Sequence, residues 1–158
     1  MPDVFSKAKR SQVMSRIRAS GNKDTELALI RLFRRNAITG WRRRRKIMGR
    51  PDFVFPKLRL AVFVDGCFWH LCPKHSNLPV NNRAFWNRKL NGNKARDIQV
   101  TRALRSQGWR VLRIWEHDLA RRNEVRLIRK IKKALVDDRN TLQIAPSLTL
   151  PTSKLKML

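Results

Sequence analysis

Both cysteines of the chain and two of its three histidines fall in one stretch, VDGCFWHLCPKH, from Val64 to His75. Cys67, Cys72 and His75 read C-x4-C-x2-H, which supplies three of the four soft or borderline donors that a tetrahedral zinc ion takes. The fourth is remote. His117 completes the set if the strand that precedes it, VLRIWE, ends beside the loop. Two thiolates would cancel the charge of the ion, which suits a structural site. A disulfide is disfavoured in a reducing compartment, and the plain alternative is two packed thiols beside surface histidines. His70 is then the one histidine outside the metal set. It lies just past a strand that also carries Asp65, where an active site at strand ends would stand, although a lone histidine is more often structural.

The second group with chemical potential is acidic. Asp52 opens one strand of GRPDFVFPKLRLAVFVDG and Asp65 ends the next. A buried carboxylate without a partner is costly. A hard cation such as Mg²⁺ removes that cost, because it takes carboxylate and carbonyl oxygens. Two such ions beside a phosphate can polarise it and stabilise the leaving oxygen. The Pro-Asp pair before a hairpin resembles the start of the PD-(D/E)xK nuclease motif, but the following strand, VFVDG, lacks the acid-x-lysine half.

These residues need a scaffold. Apolar spacing predicts a helix over TELALIRLFRRN, capped from Asn22 or Asp24 and carrying Glu26 in its first turn. SKAKRSQVMSRIRA predicts an earlier helix. ITGWRRRRKIM reads as a strand and GRPD as a turn. FVFPK and LRLAVFVDG read as two strands around Pro56, the second apolar enough to be central. NRAFWNRKLNGNKARDIQVTRALRSQG reads as helix interrupted near NGN, and WRVLRIWE as another strand. NEVRLIRKIKKALVDD closes the domain, with Val125, Leu127, Ile128, Ile131 and Leu135 as its apolar set. The expectation is one α/β domain over residues 1–140, a mixed sheet with helices on its faces, followed by a loose tail at 141–158.

The charge names the partner. With 37 Lys and Arg against 11 Asp and Glu, the formal net charge is +26, and the basic residues recur in every segment. Such an excess repels itself and seeks a polyanion, and charge spread along the chain suits a nucleic-acid footprint better than a localisation tail. No run is apolar enough to span a membrane, and the N-terminal residues lack a signal-peptide pattern, so a cytoplasmic, nucleoid-associated protein is expected.

GRPDFVF, VFVDGCFWH, CPKH, FWNRKLNGNKARD and GWRVLRIWEHDL, in this order, resemble the very-short-patch repair (Vsr) DNA mismatch endonucleases. So does KAKRSQVMSRIRASGNKDTELALIRLF, which brings the resemblance to residues 3–135. It implies a nuclease fold related to the type II restriction enzymes, a structural zinc, and Mg²⁺-dependent nicking of one strand 5′ of the T in a T·G mismatch left by 5-methylcytosine deamination. By position, Asp52 resembles the metal-binding aspartate, and Val64 stands where a backbone carbonyl binds the metal. Glu26 resembles an acid that holds a second metal through water. Asp65 replaces a histidine of some members, and either can face water on the metal. His70 resembles the catalytic histidine and general base, Asp97 its orienting partner, and Asn93 a neighbour of that site. Cys67, Cys72, His75 and His117 fall where the family places its zinc ligands. Phe68, Trp69 and Trp86 resemble a wedge that intercalates beside the mismatch, with Met14 of a DNA-contacting helix (residues 1–20) entering from the other side.

The physics of such a wedge is general. Opening a base step costs a few kcal/mol and least at a mismatch, while stacking on an aromatic returns about 1–3 kcal/mol per base. Read without the family, Trp69 and Trp86 belong in a core. The expected partner is double-stranded DNA, bound by a monomer, with no membrane. Two other readings stand beside it: a zinc-stabilised, non-catalytic module for distorted DNA, and a restriction-like nuclease with another target.

Overall fold

The computed structural model describes residues 25–136. Met14, the helix expected over residues 1–20 and the tail at 141–158 lie outside them. The described residues form a mixed α/β unit with a four-stranded sheet in the order β1-β2-β3-β4. In chain order the elements are α1 (Glu26–Arg35), β1 (Arg42–Arg43), β2 (Phe53–Phe55), β3 (Leu60–Asp65), α2 (Arg83–Ser106), β4 (Arg110–Trp115) and α3 (Glu124–Leu135). β1, β2 and β3 pair antiparallel, and β3 pairs parallel with β4 from Leu60↔Arg110 to Asp65↔Trp115.

The alternation of β3 explains the layers. Leu60 and Val62 face one core, built with Leu29, Phe33, Leu127 and Ile131 of α1 and α3. Ala61 and Phe63 face the other side, against Leu104 of α2, with Val100, Trp109 and Val111 around them. Apolar residues are therefore needed at successive positions of the strand, which is the pattern of a strand covered on both faces. Phe33 anchors the first core. Its ring meets Phe53 and Phe55 edge-on at 5.4 and 5.8 Å, and Trp41 at 5.8 Å.

Three expectations need correction. The strand expected across ITGWRRRRKIM shrinks to Arg42–Arg43, because Arg44 takes a left-handed conformation (φ 54°) that ends extended pairing. The helix expected to break at NGN runs unbroken from Arg83 to Ser106. Gly92 costs about 1 kcal/mol there relative to alanine, but Asn91 donates back to the Asn87 carbonyl and Asn93 donates to Trp69 O, so the polar pair is satisfied within the helix and against the adjacent loop. Val125 is not in the core. It lies about 200° around the helix from Leu127 and is 74% exposed.

At one turn glycine is needed for space as well as for conformation. Gly49 has φ +75°, and a Cβ there would lie 2.2 Å from Val100 Cγ1, so the chain ahead of Asp52 can approach α2 closely only without a side chain.

Ile131→Ala should cost about 2–5 kcal/mol in urea unfolding, since Ile131 is 1% exposed inside the first core. Val125→Ala on the same helix should change stability by about 0.5 kcal/mol or less.

Candidate active site and metal centre

The carboxyl ends of β3 and β4 meet the middle of α2, and chemistry-bearing residues gather there. The inner stripe of α2 runs Trp86, Leu90, Asn93, Asp97, Val100, Leu104 at helical three- and four-residue spacing. Its ends are apolar and its middle is polar. The polar middle faces the loop that follows β3.

That loop is wound tightly. Cys72 N donates to Cys67 O at 2.9 Å, and Ser76 N to Cys72 O at 3.0 Å. Leu71, between His70 and Cys72, is forced to φ 52°. A leucine in the left-handed region is strained. Here the strain lets the chain send His70 toward α2 and Cys72 toward the interior. Glu116 accepts the Cys67 N–H at 3.1 Å and Asn93 holds Trp69 O at 3.0 Å, which fixes the loop to β4 and to α2.

His70 Nδ1 lies 2.6 Å from Asp97 Oδ2. The second Asp97 oxygen, Oδ1, is 2.9 Å from Arg113 Nη2. Arg113 also donates from Nε and Nη2 to both oxygens of Asp65, at 2.6 and 2.7 Å, and its guanidinium sits 4.8 Å above the Phe63 ring. Burial works against the charge of Arg113, but the two carboxylates outweigh it and raise its pKa. Asp65 is thus committed to Arg113, and its nearer approach to His70 Nδ1 is 3.8 Å.

Asp52 lies across the sheet end from this group. Its Oδ2 accepts the Val64 N–H at 2.7 Å. Burial is the main cause that lifts its carboxyl from the ordinary 3.8 to about 6; the negative charges of Glu26 and Asp65 add to the rise, and the Val64 hydrogen bond opposes it. A cavity of about 560 Å³ opens in front, lined by Glu26, Asp52 and the cations Arg44, Arg45, Lys46 and Arg50. Glu26 is 5% exposed and ion-pairs with Arg43. A buried Asp52 carboxylate crowded by Glu26 and facing a cavity fits a divalent cation, which would relieve both burial and mutual repulsion.

Cys67, Cys72, His75 and His117 bring their donor atoms within 4.8 Å of one another. Cys67 Sγ is 3.3 Å and Cys72 Sγ 3.6 Å from His117 Nδ1, and Cys72 Sγ is 3.8 Å from His75 Nδ1. Tetrahedral N/S ligation with bonds of about 2.0–2.3 Å needs donors about 3.6 Å apart. Both cysteines are free thiols, and the residues fit such an ion. His117 Nε2 faces Asp118 Oδ1 at 3.5 Å. A carboxylate behind a ligating imidazole fixes its tautomer and orientation. Burial pushes the Cys67 thiol up and the His117 imidazole down from their usual values. Both shifts favour the neutral forms.

The aromatic group forms beside the metal loop. Phe68, Trp69 and Trp86 have ring centroids 5.1 to 6.1 Å apart. Phe68 and Trp69 are half-buried. Trp86, expected with them as a wedge, is buried beneath at 9% exposure. The ring at the surface is Phe85, 53% exposed and 5.3 Å from Trp86.

Sequence reasoning therefore brought Asp52, Val64, Glu26, Asp65, His70, Asp97 and Asn93 to one region. It missed Arg113, Glu116, Asp118, Arg43 and Phe85. A signal for Arg113 existed: an arginine inside the otherwise apolar strand VLRIW needs a buried anion, and Asp65 ends the neighbouring strand.

The chain matches the family described as DNA mismatch endonuclease Vsr over residues 2–76. It is 41% identical over 119 residues to the type II nicking enzyme V.NaeI of Lentzea aerocolonigenes, covering 70% of this chain and 69% of that one. It is 36% identical over 145 residues to the type II nicking enzyme V.NmeAIP of Neisseria meningitidis, covering 85% of this chain and all of that one. To the DNA mismatch endonuclease Vsr of Escherichia coli it is 36% identical over 130 residues, covering 79% of this chain and 80% of that one.

Two measurements probe this region. The folded protein holds the Asp52 proton more tightly than the unfolded chain does, so Asp52 contributes instability that appears as pH rises through 3.8 and is complete above about 6. In divalent-free buffer, Asp52→Asn should stabilise the protein at pH 7.5, by at most about 3 kcal/mol, and give no gain near pH 4. Elemental analysis should find about one tetrahedral metal ion per chain. Chelation, or Cys72→Ala, should remove it and lower Tm by about 10 °C, as the loss of about 3–5 kcal/mol would in a domain of this size.

Proposed function

Since the chain belongs to the Vsr family of DNA mismatch endonucleases and is a DNA endonuclease, we propose that it nicks one strand of duplex DNA 5′ of the T in a T·G mismatch, the lesion left by 5-methylcytosine deamination. The observation that carries this reading is the His70–Asp97 pair at 2.6 Å, just past the end of the strand whose Val64 amide holds Asp52. A purely binding module has no use for crowded carboxylates, which would repel the phosphates of its ligand. We read the mixed sheet, with acids at the ends of its central strands, as a restriction-endonuclease-like core.

In this reading Asp52 and the Val64 carbonyl hold Mg²⁺, with Glu26 behind them. When bound, Mg²⁺ supplies positive charge to the phosphate oxygens. His70 takes a proton from the attacking water on Nε2 as the water oxygen bonds to phosphorus; the strand P–O bond breaks and the leaving sugar oxygen takes a proton from solvent. Asp97 accepts the Nδ1–H bond, holds the ring in the tautomer that leaves Nε2 free, and stabilises the imidazolium. Cys67, Cys72, His75 and His117 hold zinc, which is structural because all four donors are protein side chains.

DNA contact comes from two surfaces. Phe85, Phe68 and Trp69 present an aromatic edge, with Trp86 as its support, and Met14 is assigned to the opposite groove. Arg44, Arg45, Lys46 and Arg50 line the cavity and meet the phosphates of the cut strand. The reading is of a monomer acting in the cytoplasm on nucleoid DNA.

End-labelled duplexes with one T·G mismatch, and their T·A counterparts, test this directly in Mg²⁺ and in EDTA. A Mg²⁺-dependent nick 5′ of the mismatched T is expected only in the first. His70→Ala should slow it by about 10²–10⁴-fold while binding stays. Equal cutting of both duplexes would discard mismatch specificity. Binding without cutting would discard the nuclease.

A further inference from the structure

Arg113 stands on β4 opposite Phe63 in the parallel register, on the same sheet face as Asp65 and beneath α2. The register thus delivers its guanidinium to the point where Asp65 and Asp97 converge. One edge of its planar fork is used: Nε and Nη2 take the two oxygens of Asp65, and Nη2 also takes Asp97 Oδ1, while Nη1 is buried without a partner. Asp97 is left with one oxygen, Oδ2, for His70. A carboxylate held at both oxygens cannot rotate about its last bond. The imidazole facing it therefore has a fixed partner in a fixed plane.

Arg113 does a second thing in the same geometry. Asp65 Oδ1 lies only 3.8 Å from His70 Nδ1. Released from Arg113, it could compete with Asp97 for the ring nitrogen and swing the imidazole off its partner. Bidentate pairing to a stacked guanidinium removes that competitor. A lysine ammonium could not do both, because it is a point charge without a planar fork.

We infer that Arg113 is a positioning residue for strand cleavage, acting through Asp97 to hold His70 in its working orientation; the inference rests on the proposed role of His70. It separates the four side chains by task. Asp97 contacts the base, Arg113 orients Asp97, and Asp65 is the counter-charge that seats Arg113 rather than a participant in the reaction. It also gives a reason for an aspartate at position 65, since its occupant must match the arginine on β4.

The test uses single-turnover nicking with enzyme in excess, together with DNA affinity and Tm, on the full chain. Arg113→Gln should slow nicking by about 10²-fold, the penalty of a small misplacement of a catalytic group, with DNA affinity unchanged. It should also lower Tm, because Asp65 is left buried and unpaired. The double variant Asp65→Asn with Arg113→Gln replaces the ion pair by a neutral amide pair. It should regain Tm and remain at least about 10-fold slow, because Asp97 Oδ1 still lacks its donor. A double variant that regains rate together with Tm would make Arg113 merely structural and overturn the inference. So would an Arg113→Gln protein that nicks at the parent rate. If the parent protein binds but does not nick any duplex, the functional reading beneath falls instead, which keeps the two failures distinct.

Discussion

The parallel pairing of β3 with β4 is the constraint on which the rest of the structure depends. Six successive residue pairs, Leu60↔Arg110 to Asp65↔Trp115, fix where both strands end. Beyond Asp65 the chain gives Cys67 and His70, and beyond Trp115 it gives Glu116, His117 and Asp118. Because the strands run the same way, these two exits lie side by side. His117 reaches two cysteines that are 45 and 50 residues away in sequence. Arg113 reaches Asp65 by the same register. A slip of one residue would turn Arg113 into the apolar core and Leu112 toward the acids, so the apolar cores on both faces also enforce the placement of the charged groups.

The scarcity of acids follows the same logic. In a chain of net charge +26 a free carboxylate would find a cation anywhere on the surface. Instead the acids among the described residues, Glu124 apart, have specific partners inside or beside the site. Glu26 has Arg43, Asp52 the Val64 amide, Asp65 and Asp97 share Arg113, Glu116 the Cys67 amide, and Asp118 the ring of His117. Surface pairs such as Arg35–Glu124 contribute little by comparison. The positive excess is left over for an external polyanion, while most of the negative groups are held by a guanidinium, a backbone amide or an imidazole at the site.

Much of this was legible in the sequence for a physical reason. Residues whose chemistry is expensive to bury, Asp52, Asp65 and the Cys/His cluster, stand out against apolar strands. The strand and helix cores came from periodicity, as in Leu127 and Ile131. What was not legible depended on tertiary context. NGN looked like a break because its local propensity is poor, but Asn93 gains a partner, Trp69 O, only when the loop folds onto α2. WRRRRK looked like a strand because its backbone conformation could not be foreseen at Arg44. Trp86 joined the wedge only through the family resemblance; its residue type alone pointed to a core, and helical phase puts it inside and Phe85 outside.

The loop from Gly66 to Ser76 joins recognition to chemistry. Its aromatic residues, Phe68 and Trp69, sit between a metal-site cysteine and His70, with no flexible segment separating them. The loop is tied at three places: to β4 by Glu116 and His117, to α2 by Asn93, and again to α2 by the His70–Asp97 bond. A strained Leu71 is tolerated because these ties over-determine the backbone. In the proposed function, a push on the aromatic edge by stacked bases is transmitted within two residues to the histidine that takes the proton of the attacking water. The Cys/His cluster at the base of the loop, once it holds its ion, would keep that displacement small, so that the aromatic edge and the base move as one body. A duplex that does not open for the rings would then hold its phosphate away from His70, and discrimination would be expressed in the rate of cutting more than in affinity, as expected when binding energy is used to assemble the reacting geometry.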